Sequence, residues 1–149
     1  MQLDSNTVQY AGFGSRFLAF LLDSLIQLLV LVPLFVLLFG RDVLSDPRVM
    51  DNALGYTLNY GLPLLYVVLC WKYKSATPGK YMMGMSIVDA HTGGRPPTGM
   101  LVLRYLGYYL CVLTLFIGFI WIAFDKRKQG FHDKLAGTVV VMNPPLPAD

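Results

Sequence analysis

Apolar residues along this chain gather into three long runs, with one short alternating stretch between the second and third and one short β-branched stretch after them. The first run covers residues 17–39. At 1.5 Å per residue it reaches about 34 Å as a helix, enough to cross a hydrocarbon core of about 30 Å. Ser15 stands where an N-cap is expected, and Pro33 predicts a kink. The second run, 54–71, is LGYTLNYGLPLLYVVLCW and just spans. Asn59, Gly61 and Pro63 predict packing against the first run, because neighbours must satisfy backbone groups that the proline frees. Tyr56, Tyr60, Tyr66 and Trp71 are amphipathic side chains of the kind that anchor at the bilayer interface. The third run, 101–124, begins near Arg104 and continues without charge. Between the second and third runs the period changes to two: Met83, Met85 and Ile87 alternate with Gly84, Ser86 and Val88, which predicts a strand over 83–89. TVVVM at 138–142 predicts another, and two lone strands are expected to pair with each other outside the membrane.

The expected fold is therefore an all-α polytopic membrane protein with two spanning helices, a third apolar segment that is re-entrant or spanning, and a minor two-stranded element. A single domain is expected over 8–142, between a polar tail at 1–7 and a Pro-rich tail at 143–149. With no Lys or Arg before Arg16, and a run too long for a signal sequence, the first segment is expected to remain as a spanning helix.

Composition agrees: 55% of the residues are hydrophobic, 14% are charged, and the mean hydropathy is +0.53, far more apolar than an ordinary soluble domain. The net charge of +3 is too small to suggest a nucleic-acid partner. The twelve basic residues instead bear on orientation. If the third segment crosses once they divide six against six, which orients nothing; if it dips and returns they divide ten against two. The returning arrangement also leaves both strands on one side. The expected topology is N-in and C-in in the plasma (inner) membrane, with the lipid bilayer and either further copies or other membrane proteins as partners.

The candidate chemistry centres on Asp23, a carboxylate inside a membrane-length run. Such a charge costs about 2.5 to 3.5 kcal/mol on insertion scales and needs a partner, a shifted pKa or water. Arg16 lies seven residues before it on the same helical face, about 10 Å along the axis; Arg104 is the other partner considered. Two readings follow: a buried polar bracket that holds the helices in register, or a proton or monovalent-cation site. His132 and Asp133 form a second candidate, either a proton relay or a pin for the last connection. Lys126, Arg127 and Lys128 follow an apolar run directly and read as headgroup contacts, as does Lys80 in TPGK, where Pro78 and Gly79 predict a turn. TPGK lacks the glycine and hydroxyl residue of a phosphate loop. Met82, Met83 and Met85 read as interfacial packing, and Cys70 and Cys111 as small packing residues rather than metal ligands. No nucleophile and base set stands out, so no enzyme activity, cofactor or metal is expected.

Taken in order, Arg16, Asp23, TPGKYMMGMSIVD at 77–89, Arg104 and KRKQGFHDKLAGTVVV at 126–141 resemble the RDD family of small membrane proteins over about residues 8–142. In that family the naming residues are an arginine opening the first membrane helix, an aspartate within it and a later aspartate, which the resemblance places on Arg16, Asp23 and Asp133. It implies a membrane domain with a suspected transport role, and no particular substrate.

Overall fold

The structure is a computed structural model that describes residues 8–114 and 117–143. The expected tail at 1–7 and positions 144–149 of the other lie outside the described residues.

Helix α1, Phe13–Phe39, is continuous through Pro33. It begins earlier than Ser15 would dictate. Ala11 N donates to Val140 O at 2.9 Å and Met142 N donates to Gln9 O at 2.8 Å, so the chain leaves a strand edge and turns into helix at once. Gly12 is the N-cap, and Ser15 Oγ donates to its carbonyl at 3.0 Å. After two one-turn helices, Arg41–Leu44 and Pro47–Met50, Asn52 caps helix α2 by accepting from Gly55 N at 2.8 Å. Helix α2, Ala53–Lys74, carries a π turn over Thr57–Gly61. That widened turn lies just before Pro63, whose missing N–H and bulky ring disfavour a regular turn there. Both helices turn leucines outward; Leu28, Leu29 and Leu65 are all more than half exposed, as a lipid-facing surface requires.

Ser75, at φ 54°, ends α2, and the short helix α3, Pro78–Met82, follows. The expected turn at Pro78 and Gly79 is thus a helix start, with proline in the first turn, where its lack of an N–H costs nothing. Strand β1, Met85–Asp89, pairs antiparallel with β2, Thr138–Met142, so that Ile87 faces Val140. It begins two residues later than expected because Met83 N still bonds to the carbonyls of Gly79 and Lys80. Both outer edges are covered: Tyr10 bridges Val141, and Ile87 N donates to Ser75 O at 2.6 Å.

The third apolar run is broken. Helix α4, Thr98–Leu113, and helix α5, Ile117–Phe124, meet at 103°. They reach about 24 and 12 Å respectively, so neither crosses a bilayer alone. Both outer ends return to the strand layer: Leu101 of α4 joins Ile87 and Val140 in the core, and Asp125, just after α5, pairs with Lys134 of helix α6, Phe131–Leu135, at 2.5 Å. The core therefore lies where the start of α1, the end of α2 and the α4 and α5 pair converge on the sheet, with Ala11, Ala19, Trp71 and Met85 at its centre. Trp71, expected at the interface, is fully buried there; Tyr56 and Tyr60 are exposed. Two glycines allow the close packing. A Cβ on Gly107 would lie 2.8 Å from His132 Cα, and one on Gly79 would lie 2.9 Å from Asp23 Cγ.

Candidate functional site

Asp133 is the third residue of α6, where its carboxylate accepts from Gly130 N at 3.0 Å and so caps its own helix. That geometry turns it into the protein, where it is fully buried between Arg16 of α1 and Arg104 of α4, one guanidinium on each oxygen. The arginines hold further acceptors. Arg104 donates to Thr138 Oγ1 at 2.7 Å, and Arg16 to the carbonyls of Ala11 at 2.9 Å and Lys128 at 2.6 Å. One carboxylate thus ties the first helix, the third segment, the last strand and the basic loop together. Burial alone would push the Asp133 carboxyl up, but Arg104, His132 and Arg16 hold it well below the usual range.

The bracket expected between Arg16 and Asp23 does not form, because Asp133 takes the guanidinium. Asp23 is buried elsewhere, accepting from Thr77 Oγ1 at 2.5 Å and Gly79 N at 2.7 Å. It caps α3 from the neighbouring helix, which explains why Thr77 makes no cap bond of its own.

Lys80 is the second correction. Rather than reaching headgroups, it is buried, with Nζ 3.4 Å from the Tyr108 hydroxyl and 5.4 Å from the centre of the Trp71 ring. Among the described residues no carboxylate lies within 4 Å of it. Burial, reinforced by Arg104 and Arg16 against Tyr108 and Asp133, lowers its pKa. Lys126 and Arg127 are exposed, as headgroup contacts must be; Lys128 instead turns its Nζ to Ala123 O at 2.8 Å.

His132 packs on Tyr108 and Phe119, its ring 4.4 and 5.2 Å from theirs, with Nδ1 3.5 Å from Cys111 Sγ and Nε2 3.6 Å from Asp133. Burial lowers its pKa to about 3, opposed by Asp133 and aided by the cations Arg104, Arg16 and Lys80. It is neutral at physiological pH, which removes the near-neutral titration that a relay would use.

Arg16, Asp23, Lys80, Arg104 and His132 all line one cavity of about 630 Å³, walled otherwise mostly by aromatic and aliphatic side chains of α1, α2, α4 and α5, with Ser24, Gln27 and Thr77 among them. Sequence reasoning missed Thr77, Trp71 and Tyr108. A signal for Thr77 was present, since threonine before proline marks a helix start. The other two depend on how the third segment folds back.

Two apolar helices, a bent apolar pair and a buried arginine, aspartate and arginine cluster at one end define a small polytopic membrane protein. The chain belongs to the RDD family, whose model matches residues 10–137. It is 32% identical to the uncharacterized membrane protein YteJ of Bacillus subtilis, over 91% of this chain and 82% of that one. It is also 32% identical to the uncharacterized protein YxaI of the same organism, over 88% and 96%. An uncharacterized protein of Rickettsia prowazekii is 38% identical over 62% of this chain, and the match spans about half, 51%, of that relative's length. No solved structure matches.

Proposed function

We propose that the chain is a non-catalytic membrane module whose buried arginine and aspartate side chains specify helix packing and present the assembly to other membrane proteins or to further copies of itself. One observation carries this reading: all four oxygens of Asp23 and Asp133 already accept hydrogen bonds from protein donors. A carboxylate that binds a cation must turn its lone pairs to the ion. These are turned to N–H and O–H groups, as in a packing pin. A second reading, movement of protons or monovalent cations past Asp23, draws on that residue's place in the wall of the 630 Å³ cavity.

Cation-driven pH change in proteoliposomes separates the two. Wild type and Asp23→Asn, each eluting as a single species, are both expected to leave the gradients untouched. Flux in wild type that the well-folded variant lacks overturns the packing reading.

The same module is oriented with both termini cytoplasmic in the plasma (inner) membrane. The support is the cation distribution, since Arg41 and Arg48 occupy the loop between α1 and α2 while the other ten basic residues lie in or beside the strand layer or in α4. In a background without Cys70 and Cys111, an impermeant thiol reagent is expected to label Thr92→Cys and Arg127→Cys from one side and Asp42→Cys from the other. Labelling of Thr92→Cys and Arg127→Cys from opposite sides sinks the re-entrant third segment.

A further inference from the structure

We propose that the 630 Å³ cavity binds an anionic amphiphile, its acid group at Lys80, Arg104 and Trp71 and its chain along α1, α4 and α5. This goes beyond the packing role, because Lys80 and Trp71 take no part in the Asp133 cluster.

The polar end of the cavity has donors in excess. Among the described residues its wall includes the cations Arg16, Lys80 and Arg104 but only one carboxylate, Asp23, whose oxygens are taken by Thr77 and Gly79. Lys80 is buried beside a hydroxyl and an aromatic face. Two further donors are buried with no acceptor among the described residues, Arg104 Nε and Trp71 Nε1, each on a side chain that is 1% exposed and lines this cavity. The guanidinium lies over the Trp71 ring, 5.3 Å from its centre, and Lys80 also faces that ring. Such contacts use the ring face and leave the two N–H groups unspent. Neither nitrogen can accept. A buried donor without an acceptor costs about 1–3 kcal/mol, and two donors beside an unpaired ammonium call for oxygens that carry negative charge.

The rest of the wall is the complement of a hydrocarbon chain. Phe17, Phe20, Val112 and Ile120 border the cavity and are otherwise turned outward. A volume of about 630 Å³ falls within the range of about 300–1,000 Å³ typical of small-ligand sites. A carboxylate or phosphate with an attached chain fits both ends; a free inorganic anion leaves the apolar wall unused.

The test uses the full chain in nanodiscs, with Trp121→Phe leaving Trp71 as the reporter of the two tryptophans. In phosphatidylcholine nanodiscs, oleate is expected to change Trp71 emission saturably. Lys80→Gln is expected to weaken binding about tenfold, the loss of one charge-assisted hydrogen bond, with Lys80→Arg restoring it. Val112→Phe, at an exposed position on the chain wall, is expected to weaken it as well. Nanodiscs with added phosphatidylglycerol separate the two sources of the acid. If that lipid alone changes the emission of wild type but not of Lys80→Gln, and oleate adds nothing, the ligand is a bilayer phospholipid. If only oleate acts, it is a free acid. The proposal is overturned if neither changes the emission, if Lys80→Gln responds as wild type does, or if dodecyltrimethylammonium gives the same saturable change.

Discussion

Replacing Asp133 with asparagine is expected to destabilise the fold by about 3–5 kcal/mol, the usual result of removing one partner from a buried ion pair. Here two ion pairs are lost at once, since Arg16 and Arg104 both rely on this fully buried carboxylate, which places the effect firmly in that range. The amide that replaces it can accept with one atom only and turns a donor toward a guanidinium. Asp23→Asn is expected to cost much less, because an amide oxygen can still accept from Gly79 N or Thr77 Oγ1 and no guanidinium is stranded. Thermal melting of the purified proteins in one detergent gives the ranking. At about 2–4 °C per kcal/mol for a chain of this size, Asp133→Asn should melt roughly 10 °C below wild type. Equal melting of the two aspartate variants would mean that the two arginines find compensation elsewhere. A companion variant carrying Arg16→Leu, Arg104→Met and Asp133→Leu should recover part of the loss, since an apolar replacement leaves no charge stranded.

That ranking reverses the emphasis the sequence invites, and the reason is physical. Asp23 draws notice because it interrupts a hydrophobic run, whereas Asp133 sits in a polar stretch where a charge needs no explanation. Hydropathy reports what lipid demands of each segment, so α1, α2 and the third apolar segment are legible from run lengths. Alternation likewise reveals β1, and a short run of β-branched residues reveals β2, though not that residues 9–11 would cover the far edge of β2. Partners across long separations leave no such trace. Arg16 meets a carboxylate 117 residues away rather than the one on its own helix. Asp23 is met by a backbone N–H, a donor that nearly every residue carries. The rule that lysines near span ends reach headgroups is statistical, and Lys80 departs from it because α4 packs over Trp71 and brings Tyr108 to its ammonium.

Stability is expected to fall with acidification from about pH 6.5, and His132 is the cause. Its folded pKa of about 3 lies well below its ordinary value of about 6.5. Between those values the unfolded chain binds a proton that the folded chain refuses, so stability drops by about 1.4 kcal/mol per pH unit. By pH 4 the loss is about 3 kcal/mol. Burial is the main reason it refuses the proton: Tyr108, Phe119 and Cys111 give it no charge, and the three cations Arg104, Arg16 and Lys80 repel a further one, with Asp133 in favour. Asp133 adds its own loss at lower pH, because its depressed carboxyl stabilises the fold above the ordinary carboxylate range and that contribution fades as the unfolded chain protonates. His132→Phe keeps an aromatic ring against Tyr108 and Phe119 and removes the titration. Its melting temperature should therefore be nearly flat from pH 6.5 to 4.5, where wild type declines steadily. Parallel curves for the two proteins would place the acid sensitivity elsewhere and return His132 to the list of residues able to carry a proton.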